Sequence, residues 1–154
     1  MKAPIKIIVA GIVGTSFMTL YSYYRAKKEN QQYKEPELLN KLIDRNKTVD
    51  VDVSRKHAAG WVAHYGVGVL FVLSYWVLYR KALHSPGPIK VLVVGSGSAI
   101  VAVAAWKIMF SASPNPPDNN RFGYYRQLAI AHLIFTLFAL ATYKALDRSN
   151  KLLP

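Results

Sequence analysis

A chain of 154 residues with 52% hydrophobic residues, a formal charge of +12 and no cysteine has room for one domain and no disulfide, thiolate metal site or cysteine nucleophile. In a soluble protein such basicity would suggest nucleic acid, but here the cations gather at the ends of apolar blocks: Arg25, Lys27 and Lys28; Arg55 and Lys56; Arg80 and Lys81; Lys144 and Arg148. Cations so placed snorkel to anionic headgroups, so the expected partner is a lipid bilayer and nucleic acid is not expected.

The first apolar block covers about residues 5–24, with Lys2 and Lys6 in front. It has the ~20 residues a bilayer core requires. It ends in Tyr21, Tyr23, Tyr24 and Arg25, an interfacial anchor and not a small-residue cleavage site, so a retained helix is expected in preference to a signal peptide. The segment 25–56 is a polar connector. Within it, Pro36 opens a possible short amphipathic helix whose Leu38, Leu39, Leu42 and Ile43 share one face and whose Asn40, Lys41 and Asp44 share the other. A solvated linker is the alternative for this stretch.

The second block, about 57–79, has Trp61 and Tyr65 early and Tyr75, Trp76 and Tyr79 late, the pattern of interfacial aromatic belts. Ser85-Pro86-Gly87-Pro88 then turns the chain into a third block, about 89–110, so these two blocks form an antiparallel hairpin. The third block is rich in small residues (Gly95, Ser96, Gly97, Ser98, Ala99, Ala102, Ala104, Ala105), which let helix backbones approach closely in lipid. A Pro- and Asn-rich loop over 111–126 leads to the fourth block, about 128–146.

The expected fold is therefore an all-α membrane protein, a four-transmembrane-helix bundle with both termini on the same side. The other side receives the connector and the Pro-rich loop. It carries 12 of the 20 Lys and Arg residues, which leans towards a cytoplasmic placement of that side.

His57, His64 and His132 fall in the loop-side half of the helices, and the latter two at similar depth. Histidines at membrane depth handle protons, ligate metal or haem, or bond neighbouring helices as polar glue. The sharpest cofactor reading is a b-type haem between His64 and His132, with Gly60, Gly66 and Gly68 leaving room for the macrocycle. The same glycines also suit close helix packing. None of the four blocks contains a carboxylate, which removes the usual coupling groups of a cation-driven transporter. No nucleophile–base order or phosphate loop supports an enzyme, so neither catalysis nor a resident metal is expected.

Asp118, Arg121, Tyr124, Tyr125 and Arg126 form the richest polar loop cluster, and with Trp61, Tyr65 and Lys107 they would ring one mouth of the bundle. Such a ring binds lipid headgroups or a partner subunit, or anchors the helices at the interface. The leading functional expectation is a non-catalytic accessory or interaction subunit that packs with a membrane partner or with itself. The alternatives are the haem electron carrier and a pH-responsive proton or small-solute pathway.

The His64-Tyr65-Gly66-Val67-Gly68 stretch, and the Pro-rich loop leading into Gln127 and Ala131-His132-Leu133-Ile134-Phe135, resemble the YagU-like bacterial inner-membrane proteins over roughly the last two thirds of the chain. Gln127 stands where an acidic residue is looked for ahead of the histidine. The resemblance implies a multi-pass protein of the bacterial inner membrane, connected with acid tolerance and without established catalysis.

Overall fold

The computed structural model describes residues 1–45 and 57–152. The described residues are helical: α1 (Ala3–Glu29), α2 (Glu35–Asp44), α3 (Ala58–Leu78), α4 (Arg80–His84), α5 (Pro88–Ala112) and α6 (Arg121–Leu152). Arg55 and Lys56 of the expected basic connector lie outside the described residues.

Four helices, α1, α3, α5 and α6, are long and apolar enough to cross a membrane. The shortest of them, α3 with 21 residues, measures about 30 Å at ~1.5 Å per residue, the thickness of a hydrocarbon core. Their outward faces carry bare aliphatic side chains, including Leu20, Val62, Leu70, Ile100 and Ile108, each more than 60% exposed. Water would not tolerate a continuous belt of this kind, whereas acyl chains cover it without cost. The chain is a multi-pass integral membrane protein.

The packing is organised by α1, which lies between α3 and α6. Its buried stripe is made of small and hydroxylated residues (Ala10, Gly11, Gly14, Thr15, Thr19, Ser22) at helical spacing. The third apolar block was the expected small-residue packer, yet on α5 only Gly95, Ser98, Ala99 and Ala102 of its eight small residues are buried, while Ser96, Gly97, Ala104 and Ala105 face outward. One helix has two sides, and only one of them meets the bundle through α6.

At one end of the bundle, Lys6 Nζ donates to Asp147 Oδ1 at 2.7 Å, and His84 Nδ1 lies 2.9 Å from Asp147 Oδ2. This ties the start of α1 and the turn helix α4 to the last part of α6. At the other end α2 docks on α3. Its buried residues are Glu35, Pro36, Leu38 and Asn40, so Asn40 does not lie on an outward polar face. The reason is capping. Asn40 Oδ1 accepts from Gly60 N–H at 2.7 Å and Asn40 Nδ2 donates to the His57 carbonyl at 2.7 Å, satisfying backbone groups that the first turn of α3 leaves open. Gly60 permits this approach, because a side chain there would meet the Pro36 carbonyl and the Asn40 amide.

Between Pro117 and α6 the expected loop is shorter than the sequence suggests. α6 begins at Arg121, so Arg121, Tyr124, Tyr125 and Arg126 belong to its first turns, with Asn120 Oδ1 accepting from Gly123 N–H at 3.0 Å. An Asn in that position supplies the capping acceptor a helix start needs.

Candidate functional site

The most chemically distinctive region is a cavity of about 300 Å³ lined by parts of α1, α2, α3, α5 and α6. Most of its wall is apolar. Phe71, Trp106 and Phe135 supply aromatic surface, and Ala102 keeps the space open by its small size. Four polar side chains, those of Thr15, Glu35, His64 and His132, also line it. An apolar cavity with a few convergent polar groups is the usual form of a small-molecule site.

The protonation of the two histidines follows from their partners. Thr19 Oγ1 donates its single proton to the Thr15 carbonyl at 2.7 Å. With the Thr19 proton so placed, His64 Nε2, 2.9 Å from that same oxygen, is assigned as the protonated, donating nitrogen, which leaves His64 Nδ1 as a lone-pair acceptor. His132 Nδ1 lies 3.0 Å from the Leu128 carbonyl, which can only accept, so Nδ1 holds the proton and Nε2 is the acceptor. Each ring is locked by its own helix or its neighbour, with one basic nitrogen left over.

Glu35 enters the same space from the connector. It is 1% exposed. Ser22 Oγ donates to its Oε1 at 2.7 Å, and Gln127 Nε2 reaches both Ser22 Oγ at 2.5 Å and Glu35 Oε1 at 3.4 Å. Oε2 has no hydrogen-bond partner, and Thr15 Oγ1 is likewise buried without one. Burial pushes the Glu35 carboxyl up to about 7, against the opposing pull of its own backbone amide, Ser22 and Gln127. Gln127, which stands where an acid was looked for, thus serves as a donor to an acid supplied from α2.

The cavity is not closed on the lipid side. α3 packs along α1 and α5 along α6, and α3 meets α5 through the hydrogen bond of 2.6 Å between Tyr75 and Ser98. Ala63 and Val67 of α3, and Val101 and Ala105 of α5, line the cavity while remaining exposed on the bundle's outer face. The gap between these helices is a lateral portal.

Other expected site residues fall elsewhere. His57 is exposed and caps α3, its Nδ1 accepting from Ala59 N–H at 3.1 Å. Trp61 and Tyr65 sit against α1, with Trp61 6.0 Å from the Tyr23 ring and the Tyr65 hydroxyl 3.0 Å from Ser16 Oγ. Lys107 lies 5.7 Å over Tyr125, and Arg121 lies 3.7 Å over Phe110. Arg126 approaches Glu29 at 3.9 Å, Asp118 is exposed, and Tyr124 is fully buried against Trp106. The expected ring of eight is thus dispersed: Trp61 and Tyr65 meet α1, Lys107 and Arg121 join α5 and α6, Arg126 reaches α1, Asp118 stays in the loop and Tyr124 is inside the core.

Of the glycines near His64, Gly60 is packed on α2 and Gly68 on Thr15 of α1, while Gly66 faces outward. They hold helices together or meet the surroundings and do not open space beside the imidazole. Among the described residues, no group of three or more His, Asp or Glu gathers where it would hold a metal ion. No family model, no curated protein and no solved structure matches this chain.

Proposed function

We propose that this membrane protein binds a small amphiphilic molecule taken from the bilayer into the cavity beneath the α3–α5 portal. The observation that carries this reading is the pairing of a lipid-side opening with four polar side chains, Thr15, Glu35, His64 and His132, on an otherwise apolar wall. The role proposed is binding or carriage, in a bacterial inner membrane as the YagU-like resemblance suggests.

The test uses Trp106 as a reporter, because it lines the cavity. With Trp61→Phe and Trp76→Phe in place, a bilayer-soluble brominated benzene added to nanodisc-embedded protein should quench Trp106 saturably. Ala102→Phe, which fills the cavity, should abolish the saturable part. Quenching that rises linearly and equally in both proteins would refute the reading.

A second reading, packing against a partner helix or a second copy, is supported by the outward small residues Gly97 and Ala104 on α5, since small residues permit close helix approach in lipid. Gly97→Leu should then shift the size of the detergent-solubilised particle. An unchanged particle would remove this reading.

A further inference from the structure

We infer that the molecule taken up presents a neutral aromatic hydroxyl head, a phenol or hydroquinol, whose O–H groups are donated to His64 Nδ1 and His132 Nε2. This inference rests on the cavity being a binding site and assigns the chemistry of its ligand.

The hydrogen-bond inventory leads to a donor. Thr19 accepts the proton of His64 Nε2 and the Leu128 carbonyl accepts that of His132 Nδ1, so both imidazoles face any occupant as acceptors. A ligand bearing only carbonyl or ether oxygens would set lone pair against lone pair at both histidines. A ligand bearing O–H or N–H groups satisfies them.

Two further features separate a neutral hydroxyl from an ammonium. Entry runs between Val67 and Val101, two exposed valines on the lipid-facing side of α3 and α5. An ammonium crossing acyl chains to reach that portal pays a large desolvation cost, while a neutral phenol does not. Inside, Phe71, Trp106 and Phe135 offer faces and edges to a ring, and aromatic pairs add to plain area burial.

The polar groups are also spread along the cavity. Ser22, which holds Glu35, and Thr15 lie seven residues apart on α1, about 10 Å of rise. A ring substituted at both ends spans such a separation better than a single hydroxyl, which favours the hydroquinol. An alkyl tail on the ring would leave by the portal into the acyl region.

The experiment compares three probes with the same decyl chain: a hydroquinone, the matching benzoquinone and the matching alkylbenzene. Equilibrium binding is measured in nanodiscs under argon at pH 8, corrected against empty nanodiscs. The hydroquinone should bind at least tenfold more tightly than either of the others, and both Ala102→Phe and the portal variant Val101→Trp should remove that binding. Val101→Trp adds bulk at an exposed position, so it guards against a cavity variant that does not fold. Equal binding of all three probes, lost in these variants, would overturn the donor assignment while leaving the cavity reading intact, as would tighter binding of the benzoquinone. Saturable binding of none of the three would overturn both.

Discussion

Ser22 Oγ and Glu35 Oε1 are 2.7 Å apart, which joins the last third of the chain's first membrane helix to the first turn of a helix in the polar connector. Gln127 of α6 donates to the same pair. A carboxyl that the chain carries outside its apolar blocks is thereby held in the bundle core, with one oxygen satisfied and the other buried without a partner.

That arrangement has a pH signature. The folded-state value of Glu35, about 7, lies above its ordinary value of 4.5, so the folded state holds the proton more tightly than the unfolded chain. Stability is then greatest below about pH 4.5, falls as pH rises to about 7, and is level above that. The span of about 2.5 units corresponds to roughly 3 kcal/mol. Glu35→Gln mimics the protonated carboxyl, so it should flatten this part of the melting profile between pH 5 and 8 and melt above the wild type at pH 8. Parallel profiles for the two proteins would show that Glu35 is ionised at little cost.

Gly68 and Gly66 form a matched pair. A methyl group at Gly68 would meet Thr15 Oγ1 and approach the Gly11 carbonyl, whereas at Gly66 it would meet nothing within 4 Å. Gly68→Ala should lower stability by roughly 1–3 kcal/mol through overpacking. Gly66→Ala should leave it unchanged or slightly raised, since alanine favours the helix. Thermal melts in one detergent compare them directly.

Asn40 is the cap of α3 supplied by another helix. Asn40→Ala removes these two capping bonds and should cost about 1–2 kcal/mol. Hydrogen exchange would localise the effect, with faster exchange at Gly60 and its neighbours and little change in α6. Uniform loosening of all helices would argue against a capping role.

At the opposite end, Asp147 joins Lys6 and His84. Lys6 is 7% exposed, so Asp147→Ala leaves a buried ammonium without its counter-charge and should cost up to about 3 kcal/mol. Replacing both partners, Lys6→Met with Asp147→Leu, should recover most of the loss. Equal melting of the single and double variants would mean that the amine is solvated in the fold.

The spans are legible in the sequence because a bilayer imposes length and apolarity, and both show in one dimension: Tyr21, Tyr23, Tyr24 and Arg25 mark an interface, and Ser85-Pro86-Gly87-Pro88 marks a turn. His64 and His132 were also singled out together in the sequence, and both line the cavity. Glu35 was not, because its burial comes from the docking of α2 onto α1, α3 and α6, and nothing in a Lys-Glu-Pro-Glu stretch distinguishes a core carboxyl from a solvated one. The hydroxyl stripe Thr15, Thr19 and Ser22 carried a readable signal, three donors at helical spacing on one face of α1. Asn40 was assigned to the solvent face because a helical wheel registers polarity without showing that a polar side chain can find a buried helix end to cap.

The claim that the bundle carries a ligand cavity open to lipid is tested most directly by analysing what leaves the membrane with the protein. Wild type and Ala102→Phe would be purified in parallel into nanodiscs from native membranes, and their organic extracts compared by mass spectrometry. A small amphiphile near one per protein in the wild type, and depleted in Ala102→Phe, is the predicted result. Identical extracts from two equally folded proteins would contradict it.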